Sequence, residues 1–216
     1  MVAALAHASN LVHSGAVQRT SWLAPSLSLF LLSACSSESP SSVPDAGPAA
    51  IARVIVSSEI RPGSNAQAAC QISPREWLTI GNFGGPGTGP RPVDHGSAEG
   101  GGAVSVACSV VAEGSDFRVS GSAALTGPRG GTVTVSGRFT ATPVPQPNVA
   151  MTFVNADLGR FEQRDCEATY DVAPKAGVAP GRIWMGVRCP RAVSTDNGVK
   201  TCETEAQIRF ENCAQQ

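Results

Sequence analysis

Residues 104–125 read VSVACSVVAEGSDFRVSGSAAL, and this stretch decides the fold class. The apolar residues of its first half alternate with small or polar ones, at Val104, Val106, Cys108 and Val110. The second half repeats the alternation at Phe117, Val119, Ala123 and Leu125. A period of two is typical of a strand that buries one face. The stretch therefore predicts two neighbouring β-strands, the second of which carries a glycine, Gly121, on its apolar face.

The same alternation returns on both sides of this stretch, at residues 51–57, 76–83, 132–139, 166–172, 183–189 and 202–210. Turn-forming residues separate these runs, most clearly at residues 127–131 and at 195–198, where the Asp-Asn-Gly run favours positive φ. No segment has a convincing helical period. Eight or nine short strands joined by such turns predict an all-β fold, an antiparallel β-sandwich of about 8–9 strands cross-linked by disulfides, over residues 51–216.

Upstream of this domain, an uncharged apolar run ends at Leu32-Ser33-Ala34-Cys35. The run is too short to span about 30 Å of hydrocarbon comfortably, but it has the length of a signal-peptide core. Leu-Ser-Ala-Cys resembles the lipobox of bacterial lipoproteins. The resemblance implies that residues 1–34 are a signal peptide, that the chain is cut before Cys35, and that Cys35 then carries acyl groups.

The only basic residue before the apolar run is Arg19, far from Met1. Because a signal peptide normally has its positive charge near its start, we expect translation to begin at Val17 and residues 1–16 to be absent from the protein. Residues 35–50 follow the cut as a lipidated cysteine and a Ser/Pro-rich tether, which cannot bury a core. As a flexible coil the tether would reach about 20 Å, and in the polyproline form about 45 Å.

Six cysteines remain beyond the lipidation site: Cys70, Cys108, Cys166, Cys189, Cys202 and Cys213. Six cysteines, an even number, in an exported chain predict three disulfides. In a meander Cys189 and Cys202 lie at one end of a hairpin, which makes that pair reasonable and places Cys213 toward the other end. A Cys70–Cys108 bond would close the glycine-rich loop and add about 4 kcal/mol in the chain-entropy model. Fifteen connectivities remain open.

Composition excludes several functions. Arg19 is the only one of the 16 basic residues upstream of Cys35, so the mature chain has 15 basic and 17 acidic residues, a net charge of −2. This balance predicts no attraction to nucleic acid or to anionic lipid. No Cys-x-x-Cys pair occurs and the mature chain has a single histidine, so we expect no metal site. No phosphate-binding glycine motif opens a helix, and no cofactor is expected.

The loop at residues 84–102 contains eight glycines and three prolines and is predicted to lack regular structure. It carries Asp94-His95-Gly96-Ser97, which are the residue types of a hydrolase triad. Neighbours on one loop rarely converge into the required chain of hydrogen bonds, so we interpret His95 as a solvated loop residue. Glu203 and Glu205 share one strand face. Residues two apart on a strand always have about the separation that a paired-carboxylate glycosidase needs, so their spacing is not a specific signal and both are expected to be solvated.

Among the aromatic residues Trp184 is out of phase with Ile183, Met185 and Val187, which places it on the outer face of its strand. Trp184 is therefore the candidate ligand-binding residue, as part of an aromatic platform for sugars with Trp77 and Tyr170. The alternative is that it packs against a loop or a second sheet.

Three functions stay open. The first is a non-enzymatic envelope lipoprotein with a structural or interaction role and a protein or glycan partner at the cell surface. The second is a carbohydrate- or ligand-binding module, and the third is a secreted hydrolase around His95. The C-terminal residues 209–213 and the general layout resemble small lipoproteins of myxobacteria, which brings no function. In lipoproteins of enteric bacteria an Asp after the lipidated Cys retains the protein at the inner membrane. By resemblance to that class, Ser36 implies attachment to the outer membrane.

Overall fold

A computed structural model describes residues 50–63, 67–170, 177–194, 196 and 199–215 of the chain. The predicted signal peptide, Cys35 and most of the predicted tether lie outside the described residues, as do three residues of the turn predicted at 195–198. In the described part, no helix has the length and apolarity needed to cross a membrane.

The described chain folds into twelve strands and one four-residue helix. In chain order they are β1 (Arg53–Arg61), α1 (Gln67–Cys70), β2 (Arg75–Ile80), β3 (Val93–Asp94), β4 (Ala98–Glu99), β5 (Gly102–Glu113), β6 (Asp116–Leu125), β7 (Gly131–Thr140), β8 (Gln146–Asn155), β9 (Gly159–Thr169), β10 (Gly177–Ala179), β11 (Arg182–Ser194) and β12 (Lys200–Glu211). Nine of these strands have six or more residues, and three have two or three. The all-β prediction is confirmed.

Most neighbouring strands are consecutive in the chain, and all are paired antiparallel. The order is β2-β1-β12-β11-β9-β8-β7-β6-β5-β4, with β3 paired to β1 and β10 to β11. A sandwich divides its strands between two sheets, whereas these strands form one continuous hydrogen-bonded path. The path curls until it is nearly closed, so that two parts of the same sheet face each other across the core.

Two short segments close the gap between β1 and β5. Residues 93–99 pair with β1 at β3 and with β5 at β4, and the Val104 amide donates to the Ser97 carbonyl at 2.8 Å. Beyond β12 the chain runs beside β5, where the Val110 amide donates to the Ala214 carbonyl at 2.8 Å. The loop predicted to lack regular structure therefore contains β3 and β4, because its backbone groups satisfy the edges of β1 and β5.

Side chains from both parts of the sheet interlock in the core. The largest fully buried ones include Phe139, Phe153, Phe161 and Phe210. Trp77 of β2 packs edge-on against Phe153 and Phe161, with ring centroids at 6.0 and 5.7 Å. Its indole N–H donates to the Val154 carbonyl of β8 at 3.3 Å, which joins β2 to the far side of the core.

Three disulfides cross-link the sheet, as the cysteine count predicts. They are Cys70–Cys202, Cys108–Cys213 and Cys166–Cys189. Cys213 lies at the opposite end of β12 from Cys202, as expected, but both proposed pairings are wrong.

The pairing of Cys189 with Cys202 fails because the two residues are not opposite each other in the hairpin. Cys189 faces Thr204 and Cys202 faces Ala192, on either side of a register shift between Cys189 and Ala192. On its other side Cys189 meets β9, where its Cα lies 4.5 Å from that of Cys166. The Cys70–Cys108 pairing fails because α1, with Cys70, lies against β12.

Candidate functional site

The candidate site is the outer face of the sheet part formed by β2, β1, β12, β11 and β9. Antiparallel pairing aligns residues of these strands into rows that cross the sheet. One row is small and polar, with Thr79, Ser57, Gln207, Gly186 and Thr169 as successive partners. An arginine–aromatic row flanks it on one side and a glutamate row on the other. We call this surface the outer face.

The arginine–aromatic row is built around Arg209. Its register partner on β11 is Trp184, and Ile55 is its partner on β1. The guanidinium carbon lies 4.7 Å from the Trp184 ring centroid and 5.0 Å from that of Phe83, which follows β2. Strand order places these rings on opposite sides of Arg209, so the guanidinium is held between two aromatic rings.

Trp184 lies on the outer face, in agreement with its phase in the sequence, and is half-buried. The guanidinium carbons of Arg182 and Arg209 lie within 5.2 Å of its ring centroid. Its indole nitrogen is buried and has no hydrogen-bond partner among the described residues. Trp184 is therefore not an open aromatic platform, because arginine side chains already lie over its ring. Trp77 is buried in the core and is not available to a ligand.

Tyr170 occupies a structural position. Its hydroxyl donates to the Thr140 carbonyl at 2.7 Å, and burial raises the pKa of the phenol well above its usual value. The three aromatic residues considered for a sugar platform are thus not brought together on one surface.

The glutamate row aligns Glu76, Glu59, Glu205, Arg188 and Glu167. Glu203 lies beside it, and only 5 % of its side chain is exposed. Arg188 and Arg61 donate to the Glu203 carboxylate at 2.9 and 2.7 Å. Glu203 was expected to be solvated like Glu205, but two arginines cover it, a cross-strand contact that the spacing of the glutamates does not reveal.

The same contacts set the charge state of this carboxylate. The hydrogen bond from Arg188 lowers the pKa of Glu203, burial opposes that effect, and Arg61 adds to the lowering, so the pKa lies below the usual value. Glu203 is therefore held as a carboxylate inside an arginine-rich cluster. It is a structural charge and not the raised-pKa acid that a glycosidase needs.

A shallow hollow of about 660 Å³ lies over the polar row, and we call it the central hollow. Its lining includes Ser57, Gln207, Gly186 and Thr169, with Phe83 at one side and the glutamate row at the other. Gly186 leaves the floor open because it has no side chain. Hydroxyl and amide groups on such a floor can donate and accept hydrogen bonds with a hydroxyl-rich ligand.

A second hollow of about 860 Å³ lies where the tether enters the domain, and we call it the tether-side hollow. Ala50 lines it together with Arg53, Arg182, Trp184 and the Cys108–Cys213 disulfide. The side chain of Asn212 donates to the Ile51 carbonyl at 2.9 Å and fixes the entry of the chain at this point. The sequence pattern does not predict that residue 50 lies near Trp184.

His95 is exposed but not unconstrained. Its Nδ1 accepts a hydrogen bond from the Val106 amide at 3.0 Å, and its own amide donates to the Ala52 carbonyl at 2.8 Å. In a catalytic triad the histidine nitrogen opposite the nucleophile is held by a carboxylate. Here a backbone amide of β5 donates to one ring nitrogen. His95 is an exposed residue of the connection between β3 and β4, as the sequence predicts, and its hydrogen bonds also link β5 to the residue that precedes β1.

Within the described residues, no group of three or more His, Cys, Asp or Glu side chains is arranged to hold a metal ion. Cys35, the predicted lipidation residue, lies outside the described residues. Comparisons with protein-family models, with curated proteins and with solved structures found no match to this chain.

Proposed function

We propose that this chain is a lipid-anchored envelope protein whose β domain has a non-enzymatic structural or interaction role. Cys35 carries the anchor, the outer membrane is its site, and a protein or glycan at the cell surface is its partner. Nucleic acid is not proposed as a partner. The observation that carries the proposal is the set of three disulfides, two of which join residues more than 100 positions apart. Such bonds persist in oxidising compartments, which agrees with export through the lipobox.

The disulfides also suit a passive role. Each of them ends on β12 or β11 or just beyond, and they tie these strands to α1, β5 and β9. A cross-linked sheet resists local opening, which favours survival outside the cell over conformational change. His95, the histidine on which a hydrolase would depend, is engaged in holding the sheet together.

The intact mass of the protein purified from its own cells, with and without reduction, tests this proposal. We expect a chain that starts at Cys35, heavier by acyl groups, which gains six hydrogens on reduction. A chain without acyl groups would refute the anchor. Free thiols in the native protein would refute export to an oxidising compartment.

A second candidate is a carbohydrate- or ligand-binding module, in which one layer of a sandwich-like fold presents the central hollow. The polar row with Gly186 at its centre favours this function. Because guanidinium groups cover Trp184, sugars would be recognised by hydrogen bonding over Gly186 and Gln207 and not by stacking.

Filling the floor of the hollow tests the second candidate. A Cβ at Gly186 would come no nearer than 3.6 Å to the Thr169 hydroxyl, so Gly186→Ala should fold normally. We expect it to weaken binding of soluble oligosaccharides, measured by calorimetry, while Gly89→Ala, which meets nothing within 4 Å, leaves binding unchanged. Equal binding by both variants would remove the central hollow as a glycan site.

A further inference from the structure

Charge changes sign along the outer face. The end that begins at Arg53 carries three arginines against two carboxylates: Arg53, Arg182 and Arg209 against Asp94 and Glu211. The end that reaches Arg61 carries five carboxylates against two arginines: Glu59, Glu76, Glu167, Glu203 and Glu205 against Arg61 and Arg188. The eight residue-to-residue steps from Arg53 to Arg61 span about 26 Å at 3.3 Å per step. The net charge of −2 hides this separation, since opposite charges cancel in the sum.

Arg209 is the best placed charge at the basic end. It makes no ion pair with any described residue, whereas Arg53 pairs with Glu211 at 2.6 Å. Phe83 and Trp184 on its two sides restrict the motion of its side chain. Because the guanidinium is held in place beforehand, less side-chain entropy is lost when it binds a phosphate oxygen.

The tether enters the domain at this same end. Ala50 lines the tether-side hollow with Arg53, Arg182 and Trp184, and Asn212 holds the next residue, Ile51. The chain that leads back to Cys35 therefore leaves the domain beside the arginines and away from the glutamate row. A lipid anchor at Cys35 would hold the basic end nearest to the membrane.

We propose that this basic end, comprising Arg53, Phe83, Arg182, Trp184 and Arg209, docks on the phosphate headgroups of the membrane that carries the anchor. The inference rests on the proposed lipid anchor. Arginines are attracted to an anionic surface and the distant glutamate row is repelled, so the two ends together orient the domain. Tryptophan is favoured at the level of the headgroups. The short tether keeps the surface at a high local concentration, so weak contacts suffice.

Trp184 is a built-in reporter for this contact. The mature lipidated protein, residues 35–216, is reconstituted into vesicles of brominated phosphatidylcholine, with or without 30 % phosphatidylglycerol. Trp77 is only 2 % exposed in the core, so contact quenching by the lipid reports Trp184. We expect stronger quenching in anionic than in neutral vesicles, and we expect 0.5 M salt to remove the difference.

Arg209→Ala should lower the docked-to-undocked ratio about fivefold, as expected for one arginine at an anionic surface. The matched control is Arg160→Ala, which removes a 57 % exposed arginine that pairs with Glu162 on β9. Equal quenching in neutral and anionic vesicles, or equal effects of the two variants, would overturn the docking proposal. If inorganic phosphate alone, without vesicles, produced the same change in Trp184 fluorescence, the docking proposal would also be overturned in favour of a soluble anion as the ligand.

Flotation separates this proposal from the one on which it rests. A protein that floats with neutral vesicles but shows no preference for anionic ones has its anchor and lacks the docking surface. A protein that does not float with neutral vesicles lacks the anchor. Docking is then decided by flotation of the same protein with anionic vesicles at low salt, which the basic end should still support and Arg209→Ala should weaken about fivefold.

Discussion

The ring of Phe210 on β12 occupies the space in which a side chain on Gly121 of β6 would lie. A Cβ built on Gly121 would stand 2.6 Å from the Cε2 atom of Phe210. Gly121 interrupts an otherwise apolar face of β6, and Phe210, which is fully buried, fills the gap from the opposite part of the curled sheet. The glycine that weakens one strand thus allows the two layers to interlock.

Gly121→Ala should therefore destabilise the domain, although alanine suits a strand better than glycine. We expect a loss of about 1–3 kcal/mol in the free energy of unfolding, because the methyl group overlaps a ring in a packed core. Urea unfolding with intact disulfides measures it. Gly89→Ala, which meets no atom within 4 Å, should change stability little. If the overlap is the cause, adding Phe210→Leu should cost less in the Gly121→Ala protein than in the wild type.

Glu203 is the buried member of the arginine–glutamate cluster, and Glu203→Gln should cost about 1–3 kcal/mol at pH 7. The matched control is Glu162→Gln, a carboxylate 51 % exposed and paired with Arg160, which should change stability by less than about 0.5 kcal/mol. Equal costs for the two variants would show that the covering arginines add nothing.

The cost of Glu203→Gln should also depend on pH. The folded-state pKa of Glu203 is lowered, so its stabilising effect is present above the unfolded-state value and disappears as pH falls through the folded-state value. The difference between wild type and Glu203→Gln should therefore shrink at low pH. Urea titrations at neutral pH and near pH 2–3 check the sign, and a difference that grows on acidification would contradict it.

The disulfides should differ in their contribution to stability. Cys70–Cys202 closes a loop of 132 residues and Cys166–Cys189 one of 23. The chain-entropy model gives about 5 kcal/mol for the first and about 3 kcal/mol for the second. The double variants Cys70→Ala/Cys202→Ala and Cys166→Ala/Cys189→Ala test this by urea unfolding. A larger loss from the short loop would show that packing around β9 and β11 outweighs chain entropy.

His95→Ala should loosen the closure between β1 and β5. It removes the acceptor of the Val106 amide, which would cost about 1 kcal/mol. Hydrogen exchange at the Val106 amide should accelerate, because that N–H loses its partner. The Val110 amide, bonded to Ala214 at the other closing segment, is the internal control and should keep its rate. Unchanged exchange at Val106 would refute the structural role of His95.

Local pattern predicted much of the sheet. The alternation at residues 104–125 and 183–189 assigned the right faces, including Trp184 on the outside, because the period of a strand is local. The bulge between Cys189 and Ala192 was not predictable in this way. The disulfide partner of Cys189 was not predictable either, because Cys166 lies on β9, which only the tertiary structure places beside β11.

The sequence alone determined the elements that depend on neighbours along the chain: eight or nine strands, with their faces, and an even set of cysteines. Only the tertiary structure decided which distant groups meet. It placed two arginines on Glu203, Phe210 over Gly121, and Arg209 between Phe83 and Trp184. It also separated the charges of the outer face into a basic and an acidic end. These contacts join strands far apart in the chain, and they arise from register and from the curling of the sheet, which no local pattern encodes.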